Sequence, residues 1–401
     1  MPQTRWIAVG AALFIGIVAA FQVGKVPAAL PAIRLDLGLG MVGAGWIASV
    51  YTGTAVALGL AGGAFADRIG HLYAAIIGLA LLGIGSFWGS TADALSFLIA
   101  ARIIEGTGFV LIVVSVPTII LRSTNPRHHA FAMGVWGSFL PVGLSFMLLM
   151  APGLLSAYGW RGLWQTNSAV AFATIIIVFL ILRGRDGAPK VSAKKNTDFW
   201  SDLWLTVSRP GPWLMSLIFG MFGTQFATFM NWLPTYFIEH HGQTVAAAGS
   251  FAAIVAISNA PGAITAGVLM ARGVSRSLIM SVSFMVMGAL GFLTFAGGLP
   301  FGLQVATAIL FSFSGGFVPA VLLASAPHHA PSLDHVGTVN GILIHGANVG
   351  TLLGPPSFAF IVTASGGWGA GGTMLLVIAG LSAILAFVVG RLERGPSGAN
   401  I

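Results

Sequence analysis

The chain has 401 residues, of which 56% are apolar and 7% charged, and its 18 Lys and Arg outweigh 10 Asp and Glu for a formal net charge of +8. A water-soluble protein carries roughly 25% charged residues, so this composition excludes a soluble globular body and points to a polytopic membrane protein. The absence of cysteine excludes a disulfide framework, a thiolate metal site and a cysteine nucleophile.

An apolar helix needs about 20 residues to cross a hydrocarbon core roughly 30 Å thick. Measured against that length the chain predicts twelve spans, near 6–30, 43–65, 72–90, 94–121, 131–155, 163–182, 212–236, 245–270, 277–297, 302–326, 336–362 and 369–390. The first is too long for a signal-peptide core and lacks a small-residue cleavage site, so it is expected to be a retained helix. Between spans six and seven lies the long polar stretch from Arg183 to Pro210. It reads as a linker (183–210) between an N-terminal six-helix bundle (1–182) and a C-terminal one (211–401). With the N-terminus placed in the cytoplasm, fourteen Lys and Arg fall on the inner side, among them Arg5, Arg68, Arg183, Arg185, Lys190, Lys194, Lys195 and Arg394, and only Arg34 and Arg161 fall outside. The positive-inside rule then sets both termini in the cytoplasm. The basic balance is thus a topology signal with contact to anionic lipid head groups as a by-product, not a nucleic-acid surface.

The two halves repeat each other. Gln22 and Leu30-Pro31 match Gln225 and Leu233-Pro234, Gly63 and Arg68 match Gly267 and Arg272, and Gly134 with Val142-Gly143 recurs as Gly341 with Val349-Gly350. Two parallel six-helix repeats are the build of transporters that rock two bundles about a midplane site.

The segment Gly63-x-x-x-Asp67-Arg68-x-Gly70 resembles the signature loop of the major facilitator superfamily, and Arg102-x-x-x-Gly106-x-Gly108 is similar to its fourth-helix motif. The resemblance covers the whole chain, and within the superfamily the chain looks most like the bacterial cyanate, nitrate and organic-anion permeases. It implies an all-α membrane protein of twelve transmembrane helices in two pseudo-symmetric six-helix bundles, working by alternating access. Gly63, Asp67, Arg68 and Gly70 would form a conformational latch, with Gly63 letting two helices approach closely and Asp67 pairing with a cation. Two positions depart from the pattern: His71 stands where many members carry Arg or Lys, and the second-half loop has Ala271 in place of the acid. Gating is therefore assigned to the first loop.

Buried ionisable groups cost roughly 2.5–3.5 kcal/mol each at a helix centre even on a mild scale, and the spans hold four: Lys25, Arg102, Glu105 and His345. At 1.5 Å per residue Lys25 lies ~28 Å from the start of span one and Arg102 ~12 Å below the outer end of span four, which sets both in the outer half of the bilayer. Arg102 and Glu105, three apart, share a helix face. None of the four recurs in the other repeat, where Thr228, Leu310, Phe313 and Ser138 stand instead. The charges therefore look like site chemistry added to a symmetric scaffold.

The residues leave several roles open. Arg102 and Glu105 form a structural pair, or Arg102 meets substrate while Glu105 carries the proton, or Arg102 tunes Glu105. Lys25 is a receptor for an anion, a partner of Glu105, or a side chain snorkelling to the interface. Gln22 and Gln225, at equivalent positions, suit either a substrate site or a packing role; Asn231 suits either binding or interhelical bonding, and His345 either proton transfer or packing. Two cations against one anion favour a small anionic substrate.

No segment has P-loop spacing, no nucleophile motif is present, and the paired histidines in loops lack the acids or cysteines of a closed metal site. The expectation is a proton-coupled symporter of a small organic anion, without enzymatic activity, cofactor or metal. It would be a monomer in the bacterial cytoplasmic membrane, with substrate, protons and lipids as its partners. The competing expectations are proton-driven drug or metabolite efflux, with Glu105 receiving a cation, and, less favoured, an intramembrane enzyme or a sensor.

Overall fold

The computed structural model describes residues 4–182, 206–330 and 336–392. Residues 183–205 of the expected linker, with Arg183, Arg185, Lys190, Lys194 and Lys195, lie outside the described residues, as does Arg394. Everything described is helix and short turn. The elements are α1 (Trp6–Asp36), α2 (Met41–Ile69), α3 (His71–Gly89), α4 (Leu95–Ser123), α5 (His129–Gly137), α6 (Phe139–Leu182) and α7 (Pro210–His241). They continue with α8 (Val245–Ile257), α9 (Asn259–Ala271), α10 (Arg276–Phe295), α11 (Phe301–His329), α12 (Val336–Ser365) and α13 (Trp368–Leu392).

The apolar runs dictate these lengths, because in hydrocarbon only a helix satisfies every backbone group internally. The stretch Phe131–Ile181 is 51 residues long, about 76 Å if straight, more than twice the roughly 30 Å of a bilayer core. It breaks at Gly159, whose φ of 65° and ψ of −176° end one helix and start the next, a conformation open to glycine at little cost. α5 with the first part of α6 makes one crossing and the rest of α6 another; α8 and α9, separated only by Ser258, share a third. The described helices thus supply twelve segments long enough to cross a bilayer. Pro27 and Pro31 sit inside α1 and Pro355 and Pro356 inside α12, as expected where neighbouring helices re-satisfy the freed backbone groups.

Two compact units form. In the first, α1 packs on α6, α3 on α4 and α6, and α2 on α4. Leu233–Ala253, the end of α7 and start of α8, also clusters with this unit: Arg34 Nη1 donates to Glu239 Oε1 at 2.5 Å and Ser145 Oγ to the Ala253 carbonyl at 3.1 Å. In the second, α10 packs on α11 and α13, α9 on α11, and α12 on α13.

The repeat seen in the sequence is a repeat of helix contacts. A Cβ on Gly143 would lie 2.5 Å from Ala20 Cβ and 2.8 Å from the Ile17 carbonyl, and one on Gly350 would lie 1.8 Å from the Gly220 carbonyl. Ile17 and Gly220 occupy equivalent places in the two halves, so each unit seats its first helix against its fifth crossing through a glycine that lets backbone touch backbone.

Candidate functional site

Five helices of the first unit converge on one carboxylate. Glu105 of α4 is fully buried. Its Oε1 accepts from Lys25 Nζ of α1 at 2.6 Å and from Ser86 Oγ of α3 at 2.8 Å. Its Oε2 accepts from Arg102 Nη1, one turn earlier on α4. Lys25 spends its other two N–H groups on Gln22 Oε1 at 2.5 Å and Ser86 Oγ at 2.7 Å, so its three donors are all engaged. Trp164 of α6 closes the remaining side, its ring centroid 4.4 Å from Lys25 Nζ. Arg102 also donates from Nε to the Ile47 carbonyl at 3.2 Å and from Nη1 to the Gln22 carbonyl at 3.0 Å. Its guanidinium lies 4.5 Å from the ring centroid of Tyr51, an attractive arrangement for a desolvated cation.

Small residues allow this convergence. A Cβ on Gly85 would sit 2.7 Å from Glu105 Cγ, one on Gly89 would sit 2.9 Å from Trp164 Cδ1, and one on Gly106 would meet the Tyr51 carbonyl at 2.3 Å. Gly85 and Gly89 are four apart and so lie on one face of α3, where they admit the carboxylate and the indole side by side. The Arg102-x-x-x-Gly106 spacing thus places a cation and the notch that draws α2 against α4 on the same helix.

Gln22, Lys25, Ser86 and Glu105 are wholly inaccessible and Arg102 is 1% exposed. Two cations share one anion, so the cluster carries a formal charge of +1. Removing the carboxylate's charge would leave two buried cations without a counter-ion, a state costing about 3–5 kcal/mol when a buried pair is broken. An arriving anion could relieve that state. The arrangement therefore ties the protonation of Glu105 to the charge balance around Lys25 and Arg102.

The sequence-derived residues thus divide by unit. Gln22, Lys25, Arg102 and Glu105 meet in the first, and Lys25 pairs with Glu105 instead of snorkelling. Gln225, Asn231 and His345 lie in the second and do not join the cluster. Gln225 is buried, with Nε2 donating to the Met221 carbonyl at 3.3 Å and Oε1 unpartnered among the described residues. Asn231 is buried and donates to the Ala227 carbonyl at 2.8 Å. His345 is exposed on α12.

The expected latch is the turn joining α2 to α3. Gly70, at φ 95°, ends one helix and starts the other, and Asp67 Oδ1 lies 3.4 Å from His71 Nε2. Arg68 is exposed. A Cβ on Gly63 would meet nothing within 4 Å among the described residues.

Sequence reasoning missed Ser86 and Trp164. A serine in an apolar helix usually bonds its own preceding turn, and a tryptophan usually packs, so neither residue type announces a partner. The available signal was the Gly85–Gly89 pair, which marks the face of α3 that a neighbour approaches.

Residues 12–343 match the family profile described as Major Facilitator Superfamily. The cyanate transport protein CynX of Escherichia coli strain K12 is 24% identical over 301 residues, 75% of each chain. The probable sulfoacetate transporter SauU of Cupriavidus necator is 22% identical over 391 residues, 91% of this chain and 89% of that one. The methylenomycin A resistance protein of Bacillus subtilis strain 168 is 28% identical over 167 residues, 41% of this chain and 36% of its own. Among solved structures, a bacterial homologue of the human lysosomal transporter Spinster superposes with a TM-score of 0.80 at 15% identity, covering 96% of this chain and 97% of that one. The nucleoside transporter NupG superposes with a TM-score of 0.77 at 13% identity, covering 95% and 98%.

Proposed function

This chain belongs to the major facilitator superfamily, and we propose that it moves a small organic anion together with a proton. As a member it is an integral membrane protein and a secondary transporter that works by alternating access, not an enzyme. The finer reading rests on a single observation: one buried carboxylate is shared by two buried cations.

In this reading Glu105 carries the proton and Lys25 and Arg102 attract the substrate. While Glu105 is charged it occupies both cations. Once it is protonated, the two cations need a counter-ion, and the substrate anion supplies one. Proton and anion then travel together because either alone leaves a buried charge unbalanced. Gln22, Gln225, Asn231 and His345 are proposed to shape the path of the substrate, and Gly63, Asp67, Arg68 and Gly70 to latch one conformation. The excess of Lys and Arg on one side supports an orientation with both termini in the cytoplasm of a bacterial cell. The expected division into bundles 1–182 and 211–401, and a monomeric state, belong to the same proposal.

The relatives support an anion. The two relatives described above that match three quarters or more of the chain are named for cyanate and sulfoacetate, whereas the methylenomycin resistance protein matches 41% of it. Efflux of a cationic drug would need Glu105 free to receive it, and both of its oxygens are already held by cations.

The test is proteoliposome uptake of sulfoacetate and cyanate with an internal pH dye. Anion entry should acidify the lumen, Lys25→Ala should abolish uptake, and Glu105→Gln should uncouple uptake from the pH gradient. Unchanged uptake in Lys25→Ala would remove the receptor role. Full pH-driven uptake in Glu105→Gln would remove the proton carrier, and proton exchange against lipophilic cations alone would favour efflux.

A further inference from the structure

The hydroxyl of Ser86 stands within bonding distance of three cluster groups: Lys25 Nζ at 2.7 Å, Glu105 Oε1 at 2.8 Å and Gln22 Oε1 at 2.9 Å. A serine hydroxyl has one hydrogen to give and can accept from others. Lys25 is a pure donor, so Ser86 accepts from it, and the single hydroxyl hydrogen then goes to either Glu105 or Gln22. The Gln22 amide cannot reverse to change this, because its oxygen is the atom that Lys25 approaches at 2.5 Å. The two acceptors therefore compete for one hydrogen, and a charged carboxylate is the stronger of the two.

We propose that Ser86 is the positioning residue of the coupling step: its hydroxyl points to Glu105 while that carboxylate is charged and swings to Gln22 when the carboxylate takes up a proton. The proposal rests on the reading of Glu105 as the proton carrier and adds the group that sets when the proton binds. The swing gives the Ser86 hydrogen an acceptor in either state, since Gln22 Oε1 is already in reach. The charged and titratable groups facing Glu105 among the described residues are Lys25 from α1, Tyr51 from α2 and Arg102 from α4 itself. None comes from α3, where Ser86 alone contributes a polar contact to the carboxylate.

The two neutral partners act in opposite directions. Without the Ser86 hydroxyl the charged carboxylate loses a donor, so protonation should occur at higher pH. Without Gln22 as a competing acceptor the hydroxyl and Lys25 both turn to Glu105, so protonation should require lower pH. A residue that only filled space would not give opposite signs.

The chain has three glutamates, Glu105, Glu239 and Glu393, so protein labelled with ¹³C at the glutamate side-chain carboxyl gives three NMR signals. Glu239→Gln and Glu393→Gln identify their own and leave Glu105 by elimination. We expect the midpoint of the Glu105 signal to rise by about one pH unit in Ser86→Ala, to fall in Gln22→Leu, and to stay near the parent value in Ser86→Thr. An unmoved midpoint in Ser86→Ala, or shifts of one sign in Ser86→Ala and Gln22→Leu, would overturn the assignment of Ser86 and leave the proton carrier standing. A Glu105 signal that never titrates between about pH 4 and pH 9 in any variant would overturn the proton-carrier reading and this inference with it.

Discussion

Replacing Glu105 by glutamine keeps its shape and removes its charge, leaving Lys25 and Arg102 as two buried like charges where three groups had balanced to +1. Breaking a buried pair in this way costs about 3–5 kcal/mol. Lys25→Met is the opposite case. Arg102 and Glu105 remain as a neutral pair, and the single Ser86 hydrogen can still serve Glu105 Oε1 at 2.8 Å, which leaves Gln22 Oε1 without a donor but no charge unbalanced. Its cost should be about 1–2 kcal/mol, that of one buried acceptor losing its donor with no charge left unbalanced. Adding Lys25→Met to Glu105→Gln should recover about 2 kcal/mol, because one of the two unbalanced cations is gone. The assay is reversible unfolding of the purified protein in mixed micelles, read by tryptophan fluorescence, for the parent and three variants. Equal costs for Lys25→Met and Glu105→Gln, or a double variant as unstable as the sum of the singles, would refute the argument that net buried charge governs this cluster.

Two further outcomes follow from the packing and the surface. Gly106→Ala places a Cβ 2.3 Å from the Tyr51 carbonyl, which only a shift of α2 against α4 can relieve, whereas Gly134→Ala meets nothing within 4 Å among the described residues. The first should cost about 1–3 kcal/mol and the second almost nothing, and equal melting curves for the two would contradict the packing. Arg34 and Glu239 are 21% and 38% exposed, so a double-mutant cycle should give them a coupling of about 0–1 kcal/mol that weakens with salt. A coupling above about 2 kcal/mol that persists at high salt would contradict a half-solvated pair.

The crossings were legible because a bilayer leaves a chain few options. An apolar run of about 20 residues is a helix, and a run of 51 must turn back somewhere, here at Gly159. The levels of Lys25 and Arg102 were also legible, since rise per residue converts position into depth. Azimuth was not. Whether Lys25 points at a substrate path or at α4 depends on how α1 is rotated against its neighbours, and that rotation is set by contacts such as Gly143 against Ile17, which a linear pattern of apolar residues does not encode. For the same reason Ser86 and Trp164 stayed hidden, being ordinary span residues that become partners only through the faces they present.

The main-chain seats at Gly143 and Gly350 also bear on how such a protein can change. A contact made by backbone atoms does not depend on the side chains one turn away, so either copy of the repeat can trade its polar residues without unseating its helices. Thr228 stands at the repeat position of Lys25, and Phe313 at that of Glu105. One copy carries charged residues where the other carries neutral ones on the same frame. A designer seeking a new specificity could then recombine charged and uncharged halves as interchangeable cassettes, provided the glycines stay.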